Sequence, residues 1–306
     1  VVFLSITMLT GMGGQLSLCQ ATFAGVGAFA AGQLASHFGL PVLLGALIGG
    51  VMAAAVGIVV AIPTLRLAGL AVTIVTLAFA LLADSVVFQY TWAGGAAQGV
   101  SLPRPKIGPI DFTDDKSFLV LVFVILLALI GIVKLVRKGT VGRYLAAMRG
   151  SEVAATSMGI SPGVSKIRIF ALSAGVAGVG GALYGSLQQT VGPTDFNYFF
   201  SLVFVVVVVT TGVFSVEGAV QAGMAYAILA QLLSYLPQRF TGVEPILFAF
   251  GAMTYAAHPE GIVEYQKRRW LARVERLWRS WDERRAGAGP LEPGTTPPMV
   301  VTDASS

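Results

Sequence analysis

Apolar stretches of membrane-spanning length occupy most of this 306-residue chain. A helix needs about 20 consecutive apolar residues to cross a bilayer. Seven stretches reach or approach that length, at 41–62, 70–90, 117–133, 169–188, 199–214, 219–236 and 245–257. A short apolar run, from Val1 to about Thr10, and a small-residue run ending at Ala35 precede them. The pattern predicts an all-α fold, a polytopic helical bundle in a membrane.

The composition favours the same class. Charged residues make up 11% of the chain and hydrophobic residues 55%, whereas a soluble domain carries about a quarter charged residues. So few charges cannot coat a surface that faces water. One cysteine and two histidines argue against a disulfide framework and a local zinc site. We expect no metal, no cofactor and no catalytic residues, because the sequence also has no nucleophile–base set and no phosphate-binding loop.

Basic residues are concentrated in two segments. Segment 134–168 carries seven Lys or Arg and one acid, and segment 267–285 carries eight basic residues. Cytoplasmic loops of membrane proteins are enriched in Lys and Arg, so we expect both segments in the cytoplasm. Four apolar runs separate them, and this even number agrees with that orientation. The positive charge therefore indicates membrane orientation rather than binding of nucleic acid.

The chain is predicted to have three parts, of which residues 1–262 form the transmembrane domain. In residues 263–286, Trp and Leu recur at helical spacing opposite an Arg-rich face. This pattern is typical of an amphipathic helix on the membrane surface, and contact with a cytoplasmic partner is the alternative. Residues 287–306 are expected to be disordered, since they cannot bury a core. Because Val1 lies inside an apolar run, we also expect further residues to precede it.

Glycine is concentrated within the apolar runs. The pairs Gly45-xxx-Gly49 and Gly181-xxx-Gly185 predict close packing of helix backbones; lining a path that moves is the alternative role. The strings Gly25-Val26-Gly27 and Gly178 to Gly181 resemble a dinucleotide motif only superficially. They lie inside apolar runs and not between a strand and a helix, so they do not indicate a nucleotide site.

A glycine-rich interruption, Gly11 to Gly14, follows the first apolar run. Unwound backbone at membrane depth is tolerated where it is buried in protein or lines a water-filled cavity, and broken helices form translocation paths in transporters. The polar residues next to the interruption, Gln15, Ser17 and Gln20, are therefore candidates for lining such a path. The alternative is a glycine-rich helix whose polar side chains bond to neighbouring helices.

A short helix is predicted in the middle of segment 134–168. Ser151 is a suitable N-cap for a helix that starts at Glu152. Gly159 would end that helix, and the Ser161-Pro162-Gly163 sequence would keep it ended. A helix of about two turns with alanines on one face could be received by a groove in a partner protein. An ordinary amphipathic loop helix is the alternative.

Several motifs along residues 1–262 occur in an order that is typical of one family. They are Gly14-Gln15-Leu16-Ser17-Leu18, Gly25-Val26-Gly27-Ala28-Phe29, Leu65-Arg66-Leu67-Ala68-Gly69-Leu70, Val75-Thr76-Leu77-Ala78-Phe79-Ala80, Gly142-Arg143 through Met158-Gly159-Ile160, and His258-Pro259-Glu260-Gly261. Together they resemble the LivM-like permease subunits of branched-chain (hydrophobic) amino-acid ABC transporters. The chain departs from the family pattern at Cys19, at Leu81 and over Thr210 to Phe214, which leaves the solute open.

The resemblance implies an ABC importer permease of the branched-chain amino-acid, ribose and vitamin-B12 type, in the bacterial cytoplasmic (inner) membrane. Its implied partners are two ATP-binding subunits, a second (LivH-like) permease and an extracytoplasmic substrate-binding protein. The Glu-x-Ala-Ala-x-x-x-Gly pattern of ABC importers falls on Glu152, Ala154, Ala155 and Gly159. In that family, this is where the ATPase holds the permease, so segment 134–168 would be the coupling loop.

The expected function is translocation of branched-chain or other hydrophobic amino acids, driven by ATP hydrolysis on separate subunits. Urea, short amides or aromatic acids are alternative solutes within the same family. A secondary carrier that works without ATP is the alternative from another class. Such a carrier would need ionisable residues buried along its path, and the apolar runs supply little besides Asp84.

Overall fold

The structure is a computed structural model, and it describes residues 1–67, 69–90, 99–107, 110–112 and 114–234. Ten α-helices lie within these ranges: α1 (Val2–Ile6), α2 (Gln20–Phe38), α3 (Val42–Thr64), α4 (Leu70–Ser85), α5 (Asp115–Lys138), α6 (Thr140–Gly150), α7 (Glu152–Ser157), α8 (Pro162–Gln188), α9 (Tyr198–Thr211) and α10 (Val216–Ser234). A π-helical segment, Thr7–Met12, continues α1. The predicted run 245–257 and the predicted parts 263–286 and 287–306 lie outside the described residues.

The described strands are short and belong to the connections between helices. They are β1 (Val100–Ser101), β2 (Lys106–Ile107), β3 (Ile110–Asp111) and β4 (Thr190–Val191). β1 pairs antiparallel with β4, and β2 with β3. Two 3-10 turns, Val87–Gln89 and Pro193–Phe196, follow α4 and precede α9.

Five described helical stretches are long and apolar enough to cross a membrane. They are Val42–Thr64, Leu70–Gln89, Asp115–Lys138, Pro162–Gln188 and Pro193–Thr211. The first helical stretch, Val2–Met12, is apolar but shorter. The predicted all-α polytopic bundle is therefore confirmed.

Segment 134–168 is mostly helical rather than a loop. Helix α5 continues to Lys138, α6 and α7 follow almost without a gap, and α8 begins at Pro162. Proline suits the first position of a helix, because its missing N–H is one that the first turn leaves unpaired anyway. Pro162 therefore starts α8 as well as separating it from α7, and α8 begins before the apolar run predicted at 169–188.

Helices α2, α3 and α8 pack together through glycines. A Cβ atom on Gly27 would overlap the backbone of Gly178, and one on Gly49 would overlap the carbonyl of Gly27. A Cβ atom on Gly181 would overlap the carbonyl of Ala24. Only hydrogen fits at these positions, so the three backbones lie in direct contact. The predicted role of glycine in close helix packing is confirmed for Gly49 and Gly181.

The predicted interruption of the first helix is present between Met12 and Gln20. Gly14 adopts a φ of 66°, in the left-handed region that favours glycine. Buried backbone groups need hydrogen-bond partners, and hydroxyl groups of α4 and α9 supply some of them. Thr76 Oγ1 accepts from the Leu18 N–H at 3.0 Å, and Ser201 Oγ accepts from the Ala21 N–H at 3.0 Å. The break is thus held by α4, and the first turn of α2 that follows it is held by α9.

Candidate functional site

Local side-chain chemistry sets both ends of the short helix α7. Ser151 Oγ accepts a hydrogen bond from the Ala154 N–H at 3.2 Å, so Ser151 is the predicted N-cap. At the other end, Gly159 has a φ of 79°. The Ile160 N–H then donates to the Ala155 carbonyl at 3.1 Å, which satisfies a carbonyl that the helix end leaves free. The predicted bounds of the helix are confirmed.

The faces of α7 differ in exposure. Ala155 is buried against the rest of the protein, whereas Glu152, Ala154 and Gly159 are exposed. Two large apolar side chains that the sequence prediction did not single out, Val153 and Met158, are 79% and 68% exposed. Their signal in the sequence was the presence of two bulky apolar residues on a short helix of otherwise small or polar residues. Their exposure gives α7 an apolar outer surface.

A salt bridge connects α7 to the second turn of α8. Lys166 Nζ lies 2.7 Å from Glu152 Oε1, with side-chain exposures of 14% and 51%. Exposed ion pairs typically stabilise a protein by only about 0.2–1 kcal/mol, and the Glu152 half of this pair is open to solvent. The pair therefore orients α7 more than it stabilises the fold, and half of the Glu152 side chain stays accessible to another molecule.

Gln20 belongs to a buried hydrogen-bond network between three helices. Ser5 Oγ donates to Gln20 Oε1 at 2.9 Å, and Gln20 Nε2 donates to Ser173 Oγ at 3.2 Å. Ser173 Oγ in turn donates to the Ser5 carbonyl at 2.9 Å. The side chains of all three residues are fully buried. Gln20 thus ties α2 to α1 and α8.

The other two candidates for the path, Ser17 and Gln15, have different surroundings. Ser17 is buried, and its Oγ lies 3.1 Å from Sγ of Cys19, which is also buried. Gln15 is half-buried, and its Oε1 has no hydrogen-bond partner among the described residues. Gln15 also lines a cavity of about 480 Å³ together with Glu152 and Lys166. The structure therefore brings Gln15 next to α7 and keeps Ser17 and Gln20 in the interior.

Other chemistry is sparse in the described ranges. Among these residues, no group of three or more His, Cys, Asp or Glu side chains is placed to hold a metal ion. Asp84 lies half-buried in the last turn of α4. The Gln89 side chain donates to the Asp84 backbone carbonyl at 3.1 Å, which closes the end of that helix.

A bundle of membrane-spanning helices with a short, largely exposed helix between two of them is the architecture of a multi-pass membrane protein. Residues 2–257 match the family described as branched-chain amino acid transport system / permease component. The chain belongs to this family. The resemblance to LivM-like permeases drawn from the sequence motifs is thereby confirmed.

Two similar proteins carry the name high-affinity branched-chain amino acid transport system permease protein LivM. The chain is 28% identical to the one from Escherichia coli (strain K12) and 27% identical to the one from Salmonella typhimurium (strain LT2), over 258 residues in each case. Both alignments cover 76% of this chain, and the chain spans about 60% of the length of these relatives. No solved structure is detectably similar to the chain.

Proposed function

We propose that the protein is the permease subunit of an ATP-driven importer of branched-chain or other hydrophobic amino acids in the inner membrane. Its membership of the permease family and the names of its LivM relatives support this proposal. The observation that carries it is the exposed outer surface of α7. A two-turn helix that presents Glu152 beside exposed Val153 and Met158 is suited to insertion into a groove of a partner protein.

The energy would come from separate chains. The sequence has no Gly-x-x-x-x-Gly-Lys-Ser/Thr loop for binding ATP phosphates, so we assign ATP hydrolysis to two ATP-binding subunits. A second permease would complete the membrane domain, and an extracytoplasmic binding protein would deliver the solute. The permease itself would act as a transport subunit and not as an enzyme. Segment 134–168 and the C-terminus would face the cytoplasm, in accordance with their basic residues.

Movement of α7 would reach the membrane helices through two contacts. The buried Ala155 anchors α7 to the protein, and the Glu152–Lys166 salt bridge joins it to the start of α8. Helix α8 lies backbone to backbone against α2 and α3. Closely packed helices transmit a displacement, because they cannot deform continuously. Closure of the ATP-binding subunits would therefore tilt α2, α3 and α8 together and change which side of the membrane the path faces.

The three path candidates receive different roles in this proposal. Gln15 would line the cytoplasmic mouth of the path, because it faces the cavity that Glu152 and Lys166 also line. The bonds of Gln20 and the burial of Ser17 favour a role in holding the interrupted helix. Ser17 and Gln20 would contact solute only after a rearrangement of the interrupted helix. Among the described residues, few buried polar side chains lack a hydrogen-bond partner, so specificity would lie mostly in the binding protein.

The test uses the permease assembled with its partner subunits and reconstituted in liposomes. Val153→Asp, Glu152→Lys and Gly159→Pro are expected to reduce co-purification of the ATP-binding subunits and to abolish ATP-dependent uptake of radiolabelled leucine. Lys116→Glu, a charge reversal at an exposed position at the other end of α5, is the control that should retain both. Unchanged association and uptake in all three α7 variants would remove the coupling assignment.

The same liposomes separate the alternatives. Competition of leucine uptake by urea, by a short amide or by an aromatic acid would assign a different solute of the same family. Uptake of leucine by the permease alone, without ATP or ATP-binding subunits, would instead identify a secondary carrier.

A further inference from the structure

We propose that Arg149 is a positioning residue that connects the exposed outer surface of α7 to the interrupted first helix. Movement of α7 would displace the Arg149 guanidinium, and the guanidinium would displace the backbone at Gly11. This inference rests on the proposed function, and it adds a second route by which α7 reaches the membrane helices. The first route, through the Glu152–Lys166 salt bridge, leads to α8; the second leads to the break after Met12.

The main contact is a hydrogen bond to the backbone. Arg149 lies near the end of α6, immediately before Gly150 and the N-cap Ser151 of α7. Its Nη1 donates to the Gly11 carbonyl at 2.6 Å. A hydrogen bond from a charged donor is shorter and stronger than a neutral one. Gly11 belongs to the π-helical segment that ends at Met12, so the bond holds the first helix just before it breaks.

The same guanidinium stacks on an aromatic ring. Arg149 Cζ lies 4.9 Å from the ring centre of Phe214, in the turn between α9 and α10. This distance is within the range of a cation–π interaction. Arg137 Nη1, from the end of α5, donates to the Phe214 backbone carbonyl at 3.3 Å. Arg149 therefore contacts two elements that are distant in the sequence from α7.

The two elements that Arg149 contacts also touch each other. A Cβ atom on Gly11 would overlap the carbonyl of Val213, so the backbone of the first helix lies against the turn that carries Phe214. A Cβ atom on Gly14 would lie 3.5 Å from Cγ of Arg149, which places the arginine stem along the start of the break. A push on the guanidinium would therefore move Gly11 and Phe214 together.

There is open space for such movement. A cavity of about 420 Å³ is lined by Gly11, Met12, Arg137, Gly142 and Phe214, as well as by Arg149 itself. The Arg149 side chain is also exposed along part of its length. An arginine that only filled the core would be enclosed on all sides. Arg149 instead contacts both elements from the lining of a cavity, where its position depends on the position of α6 and α7.

The experiment measures how much leucine is transported per ATP hydrolysed, in the liposomes with the full assembly. In Arg149→Gln, we expect normal co-purification of the ATP-binding subunits and normal ATP hydrolysis without solute. Leucine transported per ATP should fall about tenfold, the range expected for loss of coupling between two sites. Lys116→Gln, which removes an exposed positive charge at the start of α5 and outside segment 134–168, should leave the ratio unchanged.

Two milder variants keep the test decisive if Arg149→Gln disturbs assembly. Arg149→Lys keeps the charge but loses the planar group that can bond and stack at once, and Phe214→Leu removes the ring alone. Both should lower leucine transported per ATP by an intermediate factor of about threefold, and Arg149→Lys should recover part of the loss seen in Arg149→Gln. An unchanged ratio in both milder variants would overturn the inference.

The wild-type assembly, measured beside the variants, distinguishes a failure of the proposed function from a failure of the role of Arg149. If the wild-type assembly binds no ATP-binding subunits or moves no leucine with ATP, the proposed function fails. If the wild-type assembly transports leucine with ATP and every Arg149 and Phe214 variant transports as much per ATP, only the role of Arg149 fails.

Discussion

The Leu18 N–H donates a 3.0 Å hydrogen bond to Oγ1 of Thr76, across 58 residues of sequence. Both residues are buried, so the bond satisfies a backbone group that water cannot reach. Thr76→Val keeps the shape of the side chain and removes the acceptor. We expect a loss of about 1–3 kcal/mol of stability, because a buried donor is left unpaired, and thermal unfolding of the purified protein would measure it.

Thr22 provides a matched control for this substitution. It is also fully buried, but its Oγ1 has no hydrogen-bond partner among the described residues. Thr22→Val should therefore be neutral or slightly stabilising, since it removes an unpaired polar atom. Equal unfolding temperatures for the two variants would contradict the role assigned to Thr76.

The glycine contact between α2 and α8 predicts a second effect on stability. Gly27→Ala places a methyl group where the backbone of Gly178 lies. We expect a loss of about 1–3 kcal/mol, the usual cost of overpacking a close-packed core, seen as a lower yield of folded protein and a lower unfolding temperature.

Gly131→Ala tests whether the effect of Gly27→Ala comes from packing. Gly131 lies inside α5, and a Cβ atom there would meet no described atom within 4 Å. Alanine has the higher helix propensity, so this variant should be as stable as the wild type or more so. A similar loss in both variants would show that the contact between α2 and α8 is not the cause.

A charge swap separates two roles of Glu152. Glu152→Lys alone breaks the salt bridge with Lys166 and reverses the charge offered to a partner. The double variant Glu152→Lys with Lys166→Glu rebuilds the ion pair with opposite polarity. If the ATP-binding subunit recognises the Glu152 carboxylate, the double variant should associate as poorly as the single one, when both are compared by co-purification. Restored association would mean that only the internal pair matters.

Chemical labelling of Cys19 can show whether the interrupted helix moves during transport. Cys19 is the only cysteine of the chain and is fully buried at the end of the break. If transport reshapes the break, ATP should change the rate at which a maleimide labels Cys19 in the assembled transporter. Mass spectrometry of the Cys19 peptide measures that rate, and a Cys19→Ser variant defines the background. Equal labelling rates with and without ATP would argue against movement at this position.

The sequence predicted the features that depend on short-range patterns. The lengths of the apolar runs predicted the spanning helices. Ser151 and Gly159 predicted the ends of α7, and Gly11 to Gly14 predicted the interruption of the first helix. Each follows from local backbone or side-chain preference. The helical character of 134–168 is only partly predicted, because the charge of this segment is typical of a loop in water and does not define where each helix begins.

The long-range contacts could not be predicted from the sequence. The Arg149–Gly11 bond joins residues 138 positions apart, and the Gln20 network joins three helices. A sequence shows that Gln20 is polar in an apolar run but not which helices surround it. For that reason path lining and bonding to neighbouring helices remained open alternatives for Gln20. The functional roles of Glu152, Ala154, Ala155 and Gly159 stay predictions until the α7 variants are measured.

Hydroxyl groups of α4 and α9 hold the break and the start of α2, and these bonds should limit leakage of ions across the membrane. The Leu18 N–H in the break bonds to Thr76, and the Ala21 N–H at the start of α2 bonds to Ser201. Separating this stretch from either helix would leave a buried amide without a hydrogen-bond partner. Any opening at this place should therefore be all-or-none. Ions should therefore not cross the membrane at this place until the hydrogen bonds to α4 and α9 break together.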